Sequence, residues 1–115
     1  MEEFQPEPVA NNSVPTWDLV IEDYRSRPEH FFTEDIIEEM KRRDKIGIER
    51  YKIPLQPFNG RDSLKDALEE GLDFLAYLKN AIQEGRDVDN NLSDVYWQLF
   101  DLVEIVKMLM VDKEE

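Results

Sequence analysis

Apolar positions along the 115 residues recur at intervals of three and four, and the chain is punctuated by Pro, Gly and short polar side chains, a pattern that predicts α-helices throughout. Trp17, Val20, Ile21 and Tyr24 predict a short first helix from Trp17 to about Arg25, capped by Thr16 and stopped by Pro28. A second is predicted from Thr33 to about Tyr51 on the stripe Ile36, Ile37, Met40, Gly47, Ile48 and Tyr51, with Glu34 and Asp35 in the first turn, where the helix dipole favours negative charge. Gly47 costs such a helix up to ~1 kcal/mol relative to Ala, so it implies a close backbone approach or a bend. Pro54, Pro57 and the pair Asn59-Gly60 enforce a loop. The third helix starts at Asp62 or Ser63, carries Leu64, Leu68, Leu72, Leu75, Leu78 and Ile82 with Ala67 and Gly71, and ends near Glu84 at Gly85. Asp87 to Asn91 is a polar connection, and Ser93 or Asp94 caps a fourth helix reaching about Asp112.

The fourth helix has too many apolar residues for one stripe. Val95, Leu99, Leu102, Val106 and Leu109 share a face, while Trp97, Phe100, Ile105, Met108 and Val111 spread around the rest. A helix apolar on most sides is buried on most sides, and in so short a chain a subunit interface is the expected cover. The predicted fold is therefore all-α, a bundle of about four helices with a short first and three long ones, in a homodimer or higher oligomer. Met1 to Pro15 holds three prolines with Asn11, Asn12 and Ser13 and few large apolar residues. It reads as a flexible or loosely docked N-terminal arm (1–15) before a single helical domain (16–115).

Composition narrows the function classes. Hydrophobic residues are 41% and charged residues 36% of the chain, as helices with one wet face require. Twenty-seven acidic against 14 basic residues give a net charge of −13, which repels a nucleic-acid duplex. Solubility alone would produce the same excess, so only the placement of the acids is informative. Without cysteine there is no disulfide, no thiol nucleophile and no Cys-based zinc or iron-sulfur site. The start of the chain lacks the basic and apolar runs of a signal peptide, and no apolar stretch is long enough to span a bilayer, so a cytoplasmic location is expected. His30, the single histidine, sits beside Phe31 and Phe32 with no nucleophile elbow in sight and reads as structural. The four glycines match no phosphate-binding loop.

On the third helix, Asp66, Glu70, Asp73 and Tyr77 fall within roughly 60° of one another, opposite the leucine stripe. Glu70 and Asp73, one turn apart, have Cβ atoms about 5–6 Å apart and can share a divalent cation that relieves their repulsion. Magnesium suits them, because it takes oxygen ligands, keeps several waters and joins carboxylates to substrate phosphates. The alternative is a plain solvated face. Against it, no Lys or Arg occurs from Asp66 to Tyr77, and Phe74 and Tyr77 border the acids as pocket residues would. On the second helix Asp35 with Glu38, and Glu39 four after Asp35, offer the facing half of a four-carboxylate site. Lys41, Arg42, Arg43 and Lys45 follow as candidate phosphate contacts, although each charge taken singly reads as a surface residue.

Gly47-Ile48-Glu49-Arg50-Tyr51, Pro54-Leu55-Gln56-Pro57-Phe58-Asn59-Gly60-Arg61-Asp62 and Asp66-Ala67-Leu68-Glu69-Glu70-Gly71-Leu72-Asp73 with Tyr77-Leu78 resemble small phage-encoded relatives of the MazG-like, all-α nucleoside triphosphate pyrophosphatases. The resemblance covers roughly Asp35 to Glu84. It implies a dimerising helical bundle in which a Glu-x-x-Glu pair on one helix and a Glu-x-x-Asp pair on the next bind magnesium, with manganese as the alternative. Such a site hydrolyses a nucleoside triphosphate to monophosphate and pyrophosphate, in a host cytoplasm if the chain is phage-encoded. Glu70 and Asp73 match the second pair, and Asp35 with Glu38, or Glu39, stands in for the first. The implied catalytic residues are Glu38, Glu39, Glu70 and Asp73, and Lys52 replaces the glycine expected after Tyr51. Arg61, at the mouth of the third helix, either holds a phosphate or forms a loop salt bridge, with Asn59 and Tyr77 as further substrate contacts. The alternative function is a non-catalytic acidic helical protein that engages a host or partner protein.

Overall fold

Four α-helices, α1 (Thr16–Ser26), α2 (Thr33–Tyr51), α3 (Ser63–Gln83) and α4 (Asn91–Glu114), and a single 3-10 turn (Val88–Asn90) make up the secondary structure of the described residues, with no strand among them. The computed structural model describes residues 5–27 and 33–114. The expectations for Pro28, His30, Phe31 and Phe32 lie outside them. No helix among the described residues is long and apolar enough to cross a membrane. The chain divides into two compact units, Met1–Arg61 and Asp62–Glu115, where the sequence reading takes 16–115 as one domain.

In the first unit α1 packs on α2. Trp17, Val20, Ile21 and Tyr24, at helical spacing, are partly or fully covered in α1, as is Thr16 at its start, and Ile37 of α2 is wholly buried. The covered line of α2 continues through Met40, Asp44 and Gly47, while Ile36, Ile48 and Tyr51 fall at its exposed edge. The expected stripe is thus rotated, and a carboxylate sits in it. Burial first, and the Asp18 carboxylate second, push the Asp44 pKa up.

The N-terminal residues are pinned to the loop after α2. Thr16 N–H donates to Leu55 O at 2.7 Å and Val9 N–H to Asn59 O at 2.9 Å. Gln56, buried between two prolines, accepts from Asn11 N–H at 3.1 Å and donates through Nε2 to Asn11 O at 2.8 Å and Ser13 O at 2.7 Å. Residues 9–16 are therefore the second strap of a hydrogen-bonded loop pair, where the sequence shows only a polar, proline-rich arm. α1 starts without a side-chain cap, Pro15 preceding it, so Thr16 meets the loop through its backbone and the expected Thr16 cap is not made. At the other end of α2, Lys52 takes φ 68°, the left-handed conformation that glycine adopts at helix ends. That is the position where the family resemblance implies glycine.

In the second unit Asp62 caps α3 by accepting from Leu64 N–H at 3.1 Å and Lys65 N–H at 3.2 Å. Gly85, at φ 80°, closes the helix as Gly85 N–H reaches Ile82 O and Arg86 N–H reaches Ala81 O. Leu75 and Leu78 of α3 and Leu99 of α4 form the core, with Leu92, Tyr96, Phe100 and Val103 packed around it. The covered line of α4 runs through Leu92, Tyr96, Leu99, Val103 and Val106, whereas Val95, Leu102 and Leu109 are exposed. The expected face is corrected by about one residue: with apolar residues all around, periodicity does not select a side. The cap also differs from expectation. Asp87 supplies it, accepting from Leu92 N–H at 2.7 Å and from the Ser93 hydroxyl, ahead of the 3-10 turn. The hydrogen bond from the Ser93 hydroxyl holds the Asp87 pKa below the ordinary value; burial, the next largest influence, opposes it, and the Leu92 and Ser93 N–H groups add to the lowering.

Two pairs of substitutions follow from this packing. A Cβ on Gly71 would stand 2.9 Å from Val103 Cγ1, while one on Gly47 would meet nothing within 4 Å. Gly71→Ala is expected to lower unfolding free energy by about 1–3 kcal/mol through overpacking, and Gly47→Ala to raise it by up to ~1 kcal/mol. Urea titrations of both variants measure this, and a stabilised Gly71→Ala would refute the close approach of α3 to α4.

The two shifted carboxylates act in opposite directions. With its folded pKa raised, Asp44 destabilises the fold at neutral pH, a penalty relieved as pH falls through the folded value towards the unfolded one. With its folded pKa lowered, Asp87 stabilises above the unfolded value of about 3.9, a contribution lost as pH falls through the folded value. Asp44→Asn should therefore melt above, and Asp87→Asn below, the wild type at about pH 7, with both differences shrinking as the medium is taken below the carboxylate range. Differences that persist unchanged in acid would contradict this assignment.

Candidate functional site

Helical spacing places Glu70 and Asp73 one turn apart on α3, on the side away from the Leu75 and Leu78 core, as the sequence predicts. Both side chains are exposed, and among the described residues neither has a hydrogen-bond or ion-pair partner. Two carboxylates held about 5–6 Å apart at Cβ with no base to neutralise them repel each other, and a shared cation removes that repulsion. Glu69 is exposed beside them, while Asp66, half-buried in the first turn, has partners of its own. Tyr77 is 69% exposed and Phe74 is also exposed on α3, so the aromatics border the acids as an open rim.

In the first unit, the acids of α2 are exposed in its first two turns. Glu39 is drawn to Arg42 in a surface salt bridge on its own helix. Asp35 and Glu38, again one turn apart, have no such partner among the described residues. The α2 pair best suited to a cation is therefore Asp35 with Glu38. Lys41, Arg42, Arg43 and Lys45 are exposed in the following turn. Among the described residues no group of three or more His, Cys, Asp or Glu side chains is gathered closely enough to hold a metal ion. Within each helix one pair of exposed acids stands one turn apart, Asp35 with Glu38 on α2 and Glu70 with Asp73 on α3.

The loop before α3 is built differently from its sequence reading. Asn59 is only 5% exposed, its side-chain oxygen accepts from Arg61 N–H at 3.1 Å, and its carbonyl accepts from Val9 N–H at 2.9 Å. Its surroundings use it to brace the turn rather than to present an amide. Arg61 donates from Nη1 to Pro6 O at 2.8 Å, so part of its guanidinium fork is engaged with the N-terminal strap. Gln56 and Asn11, which organise the loop, escaped notice because their partners lie 43 to 47 residues away. A glutamine between two prolines was the only local sign.

No protein-family model matches the chain, and neither a curated protein nor a solved structure is significantly similar to it.

Proposed function

We propose that the chain is a magnesium-dependent nucleotide pyrophosphohydrolase, cleaving a nucleoside triphosphate to monophosphate and pyrophosphate in the cytoplasm, that of a host if the chain is phage-encoded. The observation that carries this reading is the exposed Glu70–Asp73 pair on α3, which has no partner among the described residues. A pair is a sufficient protein contribution for this cation, because magnesium commonly takes one or two carboxylates and fills its remaining positions with water and substrate phosphates. The donors fit magnesium or manganese: all are carboxylate oxygens, with no nitrogen or sulfur to favour zinc. The resemblance assigns the remaining ligands to α2, where Asp35 and Glu38 are without a partner among the described residues and Glu39 is the third acid. When bound, the cation would polarise a phosphoryl oxygen and lower the pKa of a water. On the resemblance, Glu70 and Asp73 would hold the cation, and Glu38 or Glu39 would take the proton of the attacking water. Arg61, with Tyr77 as a further contact, is assigned to substrate phosphate and nucleoside. Thermal melting tests the metal half: millimolar magnesium should raise the midpoint of the wild-type chain, since the cation binds the folded arrangement only. An unchanged midpoint would return the pair to an ordinary wet helix face.

The outer stripe of α4 supports a companion proposal. Leu102, Ile105, Met108 and Leu109 are exposed together with Trp97, and we read this surface as the interface of a homodimer or higher oligomer. Sedimentation should give at least twice the chain mass for wild type and a single chain for Leu102→Lys combined with Ile105→Lys. A wild type that sediments as one chain would favour the second reading, a non-catalytic acidic protein whose α4 stripe engages a different protein.

A further inference from the structure

The N-terminal strap does more than close the loop after α2. Its polar anchors are Gln56, bonded to Asn11 and Ser13, and the Asn11 side chain, whose Nδ2 donates to Pro57 O at 2.9 Å and to Phe58 O at 3.0 Å. Apolar burial adds little, since Val9 is 64% and Val14 55% exposed. Beyond these anchors, towards the start of the chain, Pro6 O accepts from Arg61 Nη1 at 2.8 Å. Arg61 is also gripped at its backbone: its N–H donates to the buried Asn59 side chain, whose own carbonyl is tied to Val9 N–H. Strap, loop and Arg61 all belong to the first unit. Pro6 and Pro8 stiffen the segment that carries the carbonyl, because each ring locks its own φ. A carbonyl orients a guanidinium without cancelling its charge, and the bond to Pro6 O occupies one donor of a fork that has several.

We propose that the strap is a positioning device for Arg61: residues 6–13, anchored through Asn11 and Gln56, hold its guanidinium ready to grip the oxygens of a polyphosphate. The proposal rests on the assignment of Arg61 to substrate phosphate made above, and adds to it the residues that act through Arg61. A long arginine side chain has much rotamer freedom, and an anion that must order it binds less tightly by that cost. Ordering the fork beforehand removes the cost, and its planar donors match phosphate oxygens two at a time. The simpler alternative is that Arg61 only pins the arm, so that the side chain serves the strap and not the reverse. The two differ in what happens to the strap's influence once Arg61 is gone.

The test titrates the full chain with inorganic triphosphate in magnesium by calorimetry, alongside KM and kcat for any nucleotide turned over. Wild type, Gln56→Ala, Pro6→Gly combined with Pro8→Gly, and Arg61→Ala are compared, together with each strap variant in the Arg61→Ala background. Both strap variants should bind triphosphate about three- to tenfold more weakly, raising KM in step and leaving kcat nearly unchanged. In the Arg61→Ala background the same substitutions should change nothing further, because the strap acts only through that side chain. The proline variant leaves Gln56 and its bonds in place, so it carries the test if Gln56→Ala loses its fold. The proposal is overturned by a wild type that does not bind triphosphate, by strap variants that bind it as tightly as wild type, by equal losses with and without Arg61, or by an Arg61→Ala chain that binds like wild type. Turnover that does not depend on Arg61 would sink the proposal and leave the hydrolase standing. Triphosphate binding that depends on Arg61 and the strap, in a chain that turns over no nucleotide, would sink the hydrolase and leave the proposal standing.

Discussion

Gln56→Ala should lower the stability of the first unit by about 2–4 kcal/mol, the largest loss expected from any residue outside the helices. Three hydrogen bonds leave this buried side chain, and all three end on the backbone of Asn11 or Ser13. Each is worth about 0.5–1.5 kcal/mol net, and truncation adds the cost of leaving part-buried groups without partners. The strap should then separate from the loop, raising amide hydrogen exchange at Val9 and Asn11, whose N–H groups bond to Asn59 and Gln56. Gln56→Glu keeps the volume but turns a carboxylate oxygen towards two carbonyls, so it should be no milder. Urea titration with hydrogen exchange measures both effects, and exchange at 9–11 unaltered by Gln56→Ala would mean that the strap is held by something else.

The second large effect concerns Glu70 and Asp73. Removing even an outer-shell partner of a metal site typically costs 10–100-fold, so Glu70→Ala or Asp73→Ala should reduce magnesium-dependent turnover by about a hundredfold or more. Stability should move the other way. Like charges one turn apart destabilise a helix by about 0.2–0.5 kcal/mol, and both side chains are exposed, so each variant without metal should melt at or slightly above the wild type. The magnesium-induced rise in midpoint should disappear in both. A variant that loses turnover together with its fold would assign the acids a structural role instead.

How much of this was legible in the chain depends on how local each cause is. The extents of α1, α2 and α3, the Asp62 cap and the Gly85 stop were readable because they rest on contacts within a few residues. The Glu70–Asp73 pair was readable for the same reason: one helical turn fixes its geometry. The facing side of α4 was not, since a helix apolar on most sides carries no single phase, and Asp87 escaped because it caps across a 3-10 turn from outside the helix. Gln56, Asn11 and Asn59 escaped because their partners are remote in sequence. Nothing in the sequence singles out Phe58, and its left-handed backbone and bare ring emerge only in the structure. Asp44 lay within an apparently polar run, yet it falls on the covered line of α2.

The most direct measurement is pyrophosphate release from a panel of canonical and modified nucleoside triphosphates in magnesium, by wild type, Glu70→Ala and Asp73→Ala in parallel. The account predicts that at least one nucleotide yields pyrophosphate and monophosphate in equal amounts with wild type, and that both variants, still folded, lose that yield. A folded wild type that turns over no nucleotide, or variants as active as wild type, would contradict it.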